Sequence, residues 1–193
     1  MQIPLNYSCN GIPILLVFVS QQSGFAFFGA YDLGCAHFLF WEQKMEIYRV
    51  SFVGHRRLCN ITSIENDIER IVLDLLKQKE YVEFFIGRNG DFDIAAASAI
   101  KRAQRTFGNH NSTLTLVLPY HAKDELYYAQ YYDEILFPIP EKIHFKSAIS
   151  KRNQWMIEHS DLLIAYVEAT TGGAYQAMKH AIEKGVPTVN LNT

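Results

Sequence analysis

An arginine, a buried strand and a paired-glycine turn follow one another near the end of this chain, and together they can hold an anion. Ala148, Ile149, Arg152, Trp155 and Met156 recur at helical spacing. Arg152 therefore lies on or beside an inward stripe, where a guanidinium needs an anion, a carboxylate or water at its head. Asn153 follows it. Leu162-Leu163-Ile164-Ala165-Tyr166-Val167 is apolar at nearly every position, the pattern of a strand covered on both faces. Glu168 ends that run, and Thr171-Gly172-Gly173 opens the next helix, where unsatisfied amides and the helix dipole favour a phosphate. Read alone, structural pairing and ligand binding are equal accounts of Arg152.

Two further corners have the same character. Gly54-His55-Arg56-Arg57 follows the apolar run Ile47 to Val53; a solvated turn explains it equally well in isolation. Gly87-Arg88-Asn89-Gly90-Asp91-Phe92-Asp93 follows the run Tyr81 to Ile86. Gly87 and Gly90 let the backbone turn tightly and approach a ligand. Helix capping and first-turn electrostatics account for one of Asp91 and Asp93, leaving the other to bind a ribose hydroxyl or act as a base. Lys101, Arg102 and Arg105 read as a solvated helix face. Tyr127, Tyr128, Tyr131 and Tyr132, within Lys123 to Asp133, can stack on a base, although a half-buried helix face is the commoner fate. The seven histidines form no ligand-spaced pair, so no metal site is expected, and no separate cofactor.

The elements that must position these corners are legible from Met45 onward. Ile47 to Val53 reads as a buried strand. Thr62-Ser63-Ile64-Glu65 has the form of a capping box, ahead of an apolar stripe through Ile64, Ile68, Ile71, Val72, Leu75 and Leu76. Tyr81 to Ile86 is the second strand, Ile94 to Phe107 an Ala-rich helix stopped by Gly108, and Thr113 to Leu118 the third strand. A Tyr-rich helical insert and the extended Phe137-Pro138-Ile139-Pro140 lead to the Arg152 helix and the fourth strand. A helix over Ala174 to Lys184, capped by Gly185, precedes the fifth strand, Pro187 to Leu191. Alternating strands and helices predict an α/β fold: a Rossmann-like, doubly wound, mostly parallel five-stranded sheet with helices on both faces. All the glycine corners then fall on the carboxyl edge, where such sheets bind ligands.

Residues 1–44 differ in kind. Asp32, Glu42 and Lys44 are their only charged groups, and their apolar runs show neither helical nor strand period. Neither run is a clean membrane span, and no basic segment precedes the first. The expectation is an N-terminal extension, or a misassigned start, outside a domain spanning 45–193; the rival is a membrane-associating leader. Cys9, Cys35 and Cys59 lack disulfide-framework or zinc spacing and read as free thiols of a reducing cytoplasm. The net charge of −2 argues against holding nucleic acid by bulk charge.

Gly54-His55-Arg56, Gly87-x-x-Gly90-Asp91-x-Asp93, Leu118-Pro119-Tyr120, Arg152-Asn153-x-x-Met156, Ser160-Asp161 and Gly172-Gly173 stand in one order. As a set they resemble the YpsA-like branch of the SLOG superfamily, which also holds the Lonely Guy phosphoribohydrolases and the Smf/DprA DNA-processing proteins. The resemblance covers Ile47 to Leu191. It implies a Rossmann-like domain binding nucleotides or their derivatives, with homo-oligomers among its relatives. The Lonely Guy enzymes cleave the N-glycosidic bond of nucleoside monophosphates, and their catalytic arginine falls on Arg152. Their glycine turn carries a catalytic glutamate in the next helical turn, whereas Gly173 here is followed by Ala174-Tyr175-Gln176-Ala177. Glu168 is the remaining candidate to stabilise an oxocarbenium-like state.

The reading is a cytoplasmic sensor or regulatory domain for a nucleotide-derived small molecule. Thr171, Gly172 and Gly173 hold a phosphate; Gly54, His55 and Arg56 close the pocket, with Gly87, Gly90 and Asn153 beside them. Asp91 or Asp93 takes a ribose hydroxyl, and Arg152 neutralises charge. The alternative is a phosphoribohydrolase-like enzyme using Arg152 and Glu168. A further alternative is a DNA-processing protein, against which the absence of a basic stripe with interleaved aromatics counts.

Overall fold

The structure, a computed structural model, describes residues 7–9, 12–21, 25–32, 38–121, 124–140 and 143–192, the strands before Met45 by their backbone alone. The chain divides into two compact units between Glu46 and Ile47. The first contains an antiparallel sheet of four strands in sequential order, β1 (Tyr7–Cys9), β2 (Ile12–Gln21), β3 (Phe25–Asp32) and β4 (Phe38–Lys44). Sequence periodicity gave no hint of these strands. Phe25-Ala26-Phe27-Phe28 and Ile14-Leu15-Leu16-Val17 are apolar at consecutive positions, so the alternation that marks a half-solvated strand is missing. Cys59 is exposed and unpaired; the side chains of Cys9 and Cys35, like Lys123 of the Tyr-rich insert, lie outside the described residues.

The second unit is α/β. Its all-parallel sheet has six strands: β5 (Ile47–Gly54), β6 (Tyr81–Ile86), β7 (Ser112–Val117), β8 (Glu134–Leu136), β9 (Leu162–Tyr166) and β10 (Thr188–Asn190). Their spatial order is β10-β9-β5-β6-β7-β8. The strand beyond the expected five is β8. Its three residues pair with β7 along Thr115 to Val117 at the sheet edge, too short a run to stand out within the Tyr-rich insert.

Helices α1 (Ile61–Gln78) and α2 (Asp91–Phe107) share one core with the sheet. Ile64, Ile68, Val72 and Leu76 of α1 are buried there with Ala96, Ala99, Ile100 and Ala103 of α2, against Val50, Phe52, Phe84 and Leu114. The small alanines allow the two helices to approach closely. Helices α4 (Phe145–Glu158) and α5 (Gly173–Glu183) bury Met156, Ile157, Ala177 and Ala181 in two further clusters with Phe85, Val117, Leu163 and Ala165. The remaining helix, α3 (Glu125–Tyr128), is a single turn. No described helix is long and apolar enough to cross a membrane.

The start of α1 corrects the capping-box expectation. Asn60 is the N-cap residue, and Thr62 and Ser63 already lie inside the helix. Glu65 is drawn away from any cap by Arg102, whose Nη1 donates to it at 2.9 Å. A chain beginning at Met45 should therefore contain a complete core. Its circular-dichroism melt should show one cooperative transition within a few degrees of that of the full chain; loss of the transition would tie residues 1–44 to the fold.

Candidate functional site

The chain runs outward from β5 through β6 and β7 to β8, then returns to the other side of β5 as β9. The reversal leaves a crevice beyond the carboxyl ends of β5 and β9, the place where open parallel sheets accept ligands. A cavity of about 330 Å³ occupies it. Gly54, His55 and Arg56 line it from the end of β5, Gly90 and Asp93 from the start of α2, Arg152 and Asn153 from α4, and Gly173 from the start of α5. Segments more than a hundred residues apart thus meet at one rim.

Arg152 sits beneath this rim and is 2% exposed. Its Nη1 donates to the carbonyl of Val117 at the end of β7 (2.9 Å), and its Nη2 to Asn89 Oδ1 in the β6–α2 turn (2.8 Å). The buried Nε–H has no partner among the described residues. Gly87 is the condition for this arrangement: a Cβ there would fall inside the guanidinium. Burial pushes the Arg152 pKa down, opposed by the charge of Asp93. Burial in turn raises the Asp93 carboxyl above its ordinary range, opposed by Arg152 and by the amides of Asn89 and Gly90. The Asn89 N–H reaches Asp93 Oδ2 at 2.6 Å.

The two aspartates of the turn thus have different duties. Gly90 is the N-cap of α2, so both lie within the first turn and neither is the cap. Asp91 fastens the β5–α1 loop: its Oδ2 accepts from Leu58 N–H (3.2 Å) and its own N–H donates to the Arg56 carbonyl (2.9 Å). Asp93 is the aspartate that faces the crevice.

On the far wall, Gly172 caps α5 with φ 95°, a left-handed conformation that glycine adopts without strain. No side chain caps this helix and its first turn holds no acid. The first intrahelical bond is Gln176 N–H to Gly172 O at 3.0 Å, so the amides of Gly173, Ala174 and Tyr175 precede it. Gly173 and Ala174 reach the cavity, whereas Thr171 and Gly172 are exposed and stand outside its lining.

Glu168 does not take the position expected of it. It is exposed and absent from the crevice lining; its Oε1 accepts from the Tyr166 hydroxyl at 2.6 Å, and its N–H donates to His55 Nε2 at 2.8 Å. Tyr166 Oη holds the carboxylate beside the strand end, and the backbone bond ties the β9 corner to the β5 corner. Asn89 went unnoticed in the sequence, although it holds Arg152, positions Asp93 and lines the crevice. Its signal was its place between Gly87 and Gly90. Among the described residues, no three His, Cys, Asp or Glu side chains converge on a metal-sized site.

The fold is shared with DNA processing protein A. The chain aligns with that protein from Helicobacter pylori at a TM-score of 0.53 and 16% identity, covering 75% of this chain and 67% of that one. It aligns with DprA from Streptococcus pneumoniae at a TM-score of 0.56 and 16% identity, over 74% of this chain and 49% of the other, about half its length. The molybdenum cofactor carrier protein of Chlamydomonas reinhardtii aligns at a TM-score of 0.48 and 14% identity, over 75% and 76%. No protein-family model and no curated protein sequence matches the chain.

Replacing Gly87 with alanine should displace Arg152 from both acceptors and destabilise the domain by about 3 kcal/mol, measured by urea denaturation. A second expectation concerns pH. The folded-state pKa of Asp93 is raised, so the stability it contributes is present below the ordinary carboxylate pKa of about 4 and is lost as pH rises from there through the folded value. Asp93→Asn should remove that slope, so the melting temperature of the wild type relative to the variant should fall across the same window.

Proposed function

We propose that the crevice binds a nucleotide through its phosphate, as a recognition site without turnover. The observation that supports this reading best is the start of α5. An uncapped helix N-terminus with no acid in its first turn opens into the cavity, and Arg56 and Asn153 line the same space. Backbone amides and a favourable dipole suit an anion there, and Arg56 is exposed and free to swing onto it. Asp93 provides an acceptor for a ribose hydroxyl. Arg152 acts as a buried positive floor and makes no direct grip on the ligand. This matches the nucleotide-binding role implied by the YpsA-like motifs.

The likeness to DNA processing protein A supports single-stranded DNA as the carrier of that nucleotide, since the H. pylori protein binds single-stranded DNA. A specific feature of the surface favours the same form. The crevice continues into a groove of about 580 Å³ between α4 and α5, with which it shares Arg56, Ile149, Asn153 and Gly173. A neighbouring nucleotide of a strand has room there. Glycosidic cleavage fits less well: Glu168 is bonded to Tyr166 outside the crevice, and no second carboxylate joins Asp93 in its lining among the described residues.

The test is Gly173→Asp. A Cβ at 173 meets nothing within 4 Å, and an acid at a helix start stabilises by about 0.3–1 kcal/mol, so the fold should survive. The new carboxylate should repel phosphate and weaken binding by at least roughly tenfold, whereas Gly173→Ala should bind like the wild type. Thermal shift with a nucleotide panel and with a thymidine oligonucleotide reads both. Stabilisation by mononucleotides marks a small-molecule site, and stabilisation by the oligonucleotide alone marks a DNA-handling one. No shift with either, or equal shifts in Gly173→Asp, refutes the proposal.

A further inference from the structure

The outer face of α2 carries a second cavity, of about 310 Å³, which the crevice does not use. Ile94, Ala97, Ser98, Lys101, Arg102 and Arg105 recur at helical spacing along one wall. Tyr127, Tyr131 and Tyr132, from α3 and the turn after it, line the cavity with them. The sequence presents these as a solvated face and a separate Tyr-rich insert; the fold brings them together. Four cations line the cavity, and two of them are already neutralised. Lys101 pairs with Asp133 at 2.7 Å, and Arg102 with Glu69 at 2.7 Å and Glu65 at 2.9 Å. Arg88 and Arg105 have no carboxylate at ion-pair distance among the described residues. Arg88 donates instead to the neutral Tyr132 hydroxyl at 3.0 Å and lies 5.2 Å from the centre of the Tyr128 ring.

The aromatic side is equally unfinished. Tyr132 is buried, but Tyr127 and Tyr131 are 51% and 53% exposed, with ring centres 5.0 Å apart, and Ile94 on the facing helix is 51% exposed. Exposed rings and an exposed aliphatic chain around a concave surface suit a flat, weakly hydrated group, and the exposed Arg105 guanidinium, with Arg88 held beside the tyrosines and feeling Asp93 only at longer range, suits an anion attached to it. We propose that this cavity is a second nucleotide site, in which Tyr127 and Tyr131 take the base and Arg105 and Arg88 the phosphate. The nucleotide is either free or one unit of a single strand, since base and phosphate are common to both. The proposal does not depend on the crevice.

The experiment uses the full chain carrying Gly173→Asp, so that crevice binding is suppressed and only this cavity is read. The probes are adenosine monophosphate, followed by ligand-observed NMR, and a fluorescein-labelled oligothymidylate, followed by anisotropy. Both should be tested against Tyr127→Leu/Tyr131→Leu and against Arg105→Ser, whose exposed side chain can be removed without disturbing the core. Loss of the rings should weaken binding about tenfold, the effect of one base stack. Arg105→Ser should weaken both probes and lower the salt slope for the oligonucleotide by about 0.7. Binding of the monophosphate identifies a free-nucleotide site, and binding of the oligonucleotide alone a strand-binding one; either supports the proposal. Absence of binding by the Gly173→Asp chain, or binding unchanged in both sets of variants with melts like the parent, overturns it.

Discussion

A guanidinium buried under the rim holds the crevice in shape. Arg152 joins α4 to the end of β7 and to the β6–α2 turn by two hydrogen bonds, and the nearby charge of Asp93 offsets part of the cost of its burial. A buried charge left without partners costs several kcal/mol, so these elements are held in one relative position or the domain is destabilised. This changes the meaning of an arginine near a ligand cavity. Its two Nη groups already bond protein oxygens, so its charge reaches the crevice only as a positive field from below. Arg56, by contrast, is exposed at the lip of the crevice.

The architecture was readable because parallel strands covered on both faces leave dense apolar runs, as at Leu162 to Tyr166, with helices of clear period between them. The convergence of the glycine corners followed from topology alone, since every strand-to-helix turn of such a sheet faces the same edge. What escaped the sequence depended on partners distant along the chain. Glu65 looked like half of a capping box until Arg102 was seen beside it. Glu168 ended a strand at the expected edge, but the Tyr166 hydroxyl two residues earlier determines where its carboxylate rests. The roles of Asp91 and Asp93 separated only when Leu58 and Asn89 came into view. In β8, three residues carry too little pattern to be seen at all.

Net charge proved a poor guide to local chemistry. The chain is close to neutral, and its cations are spread along the sequence. Helical spacing on α2 gathers Lys101, Arg102 and Arg105 on one face, and the chain reversal before β8 sets tyrosines beside them. A basic and aromatic surface therefore arises from two segments, neither of which shows it alone. The same holds at the crevice, where the uncapped amides at the start of α5 offer donors that carry no formal charge.

Gly87 and Arg152 also constrain one another's history. A side chain at 87 would occupy the space the guanidinium fills, while a short residue at 152 would leave Val117 and Asn89 with unpaired acceptors and a hollow above the glycine. Neither position can drift alone without loss of the packed arrangement. Related chains should inherit the two residues as a unit, and where one is exchanged the other should be found exchanged with it.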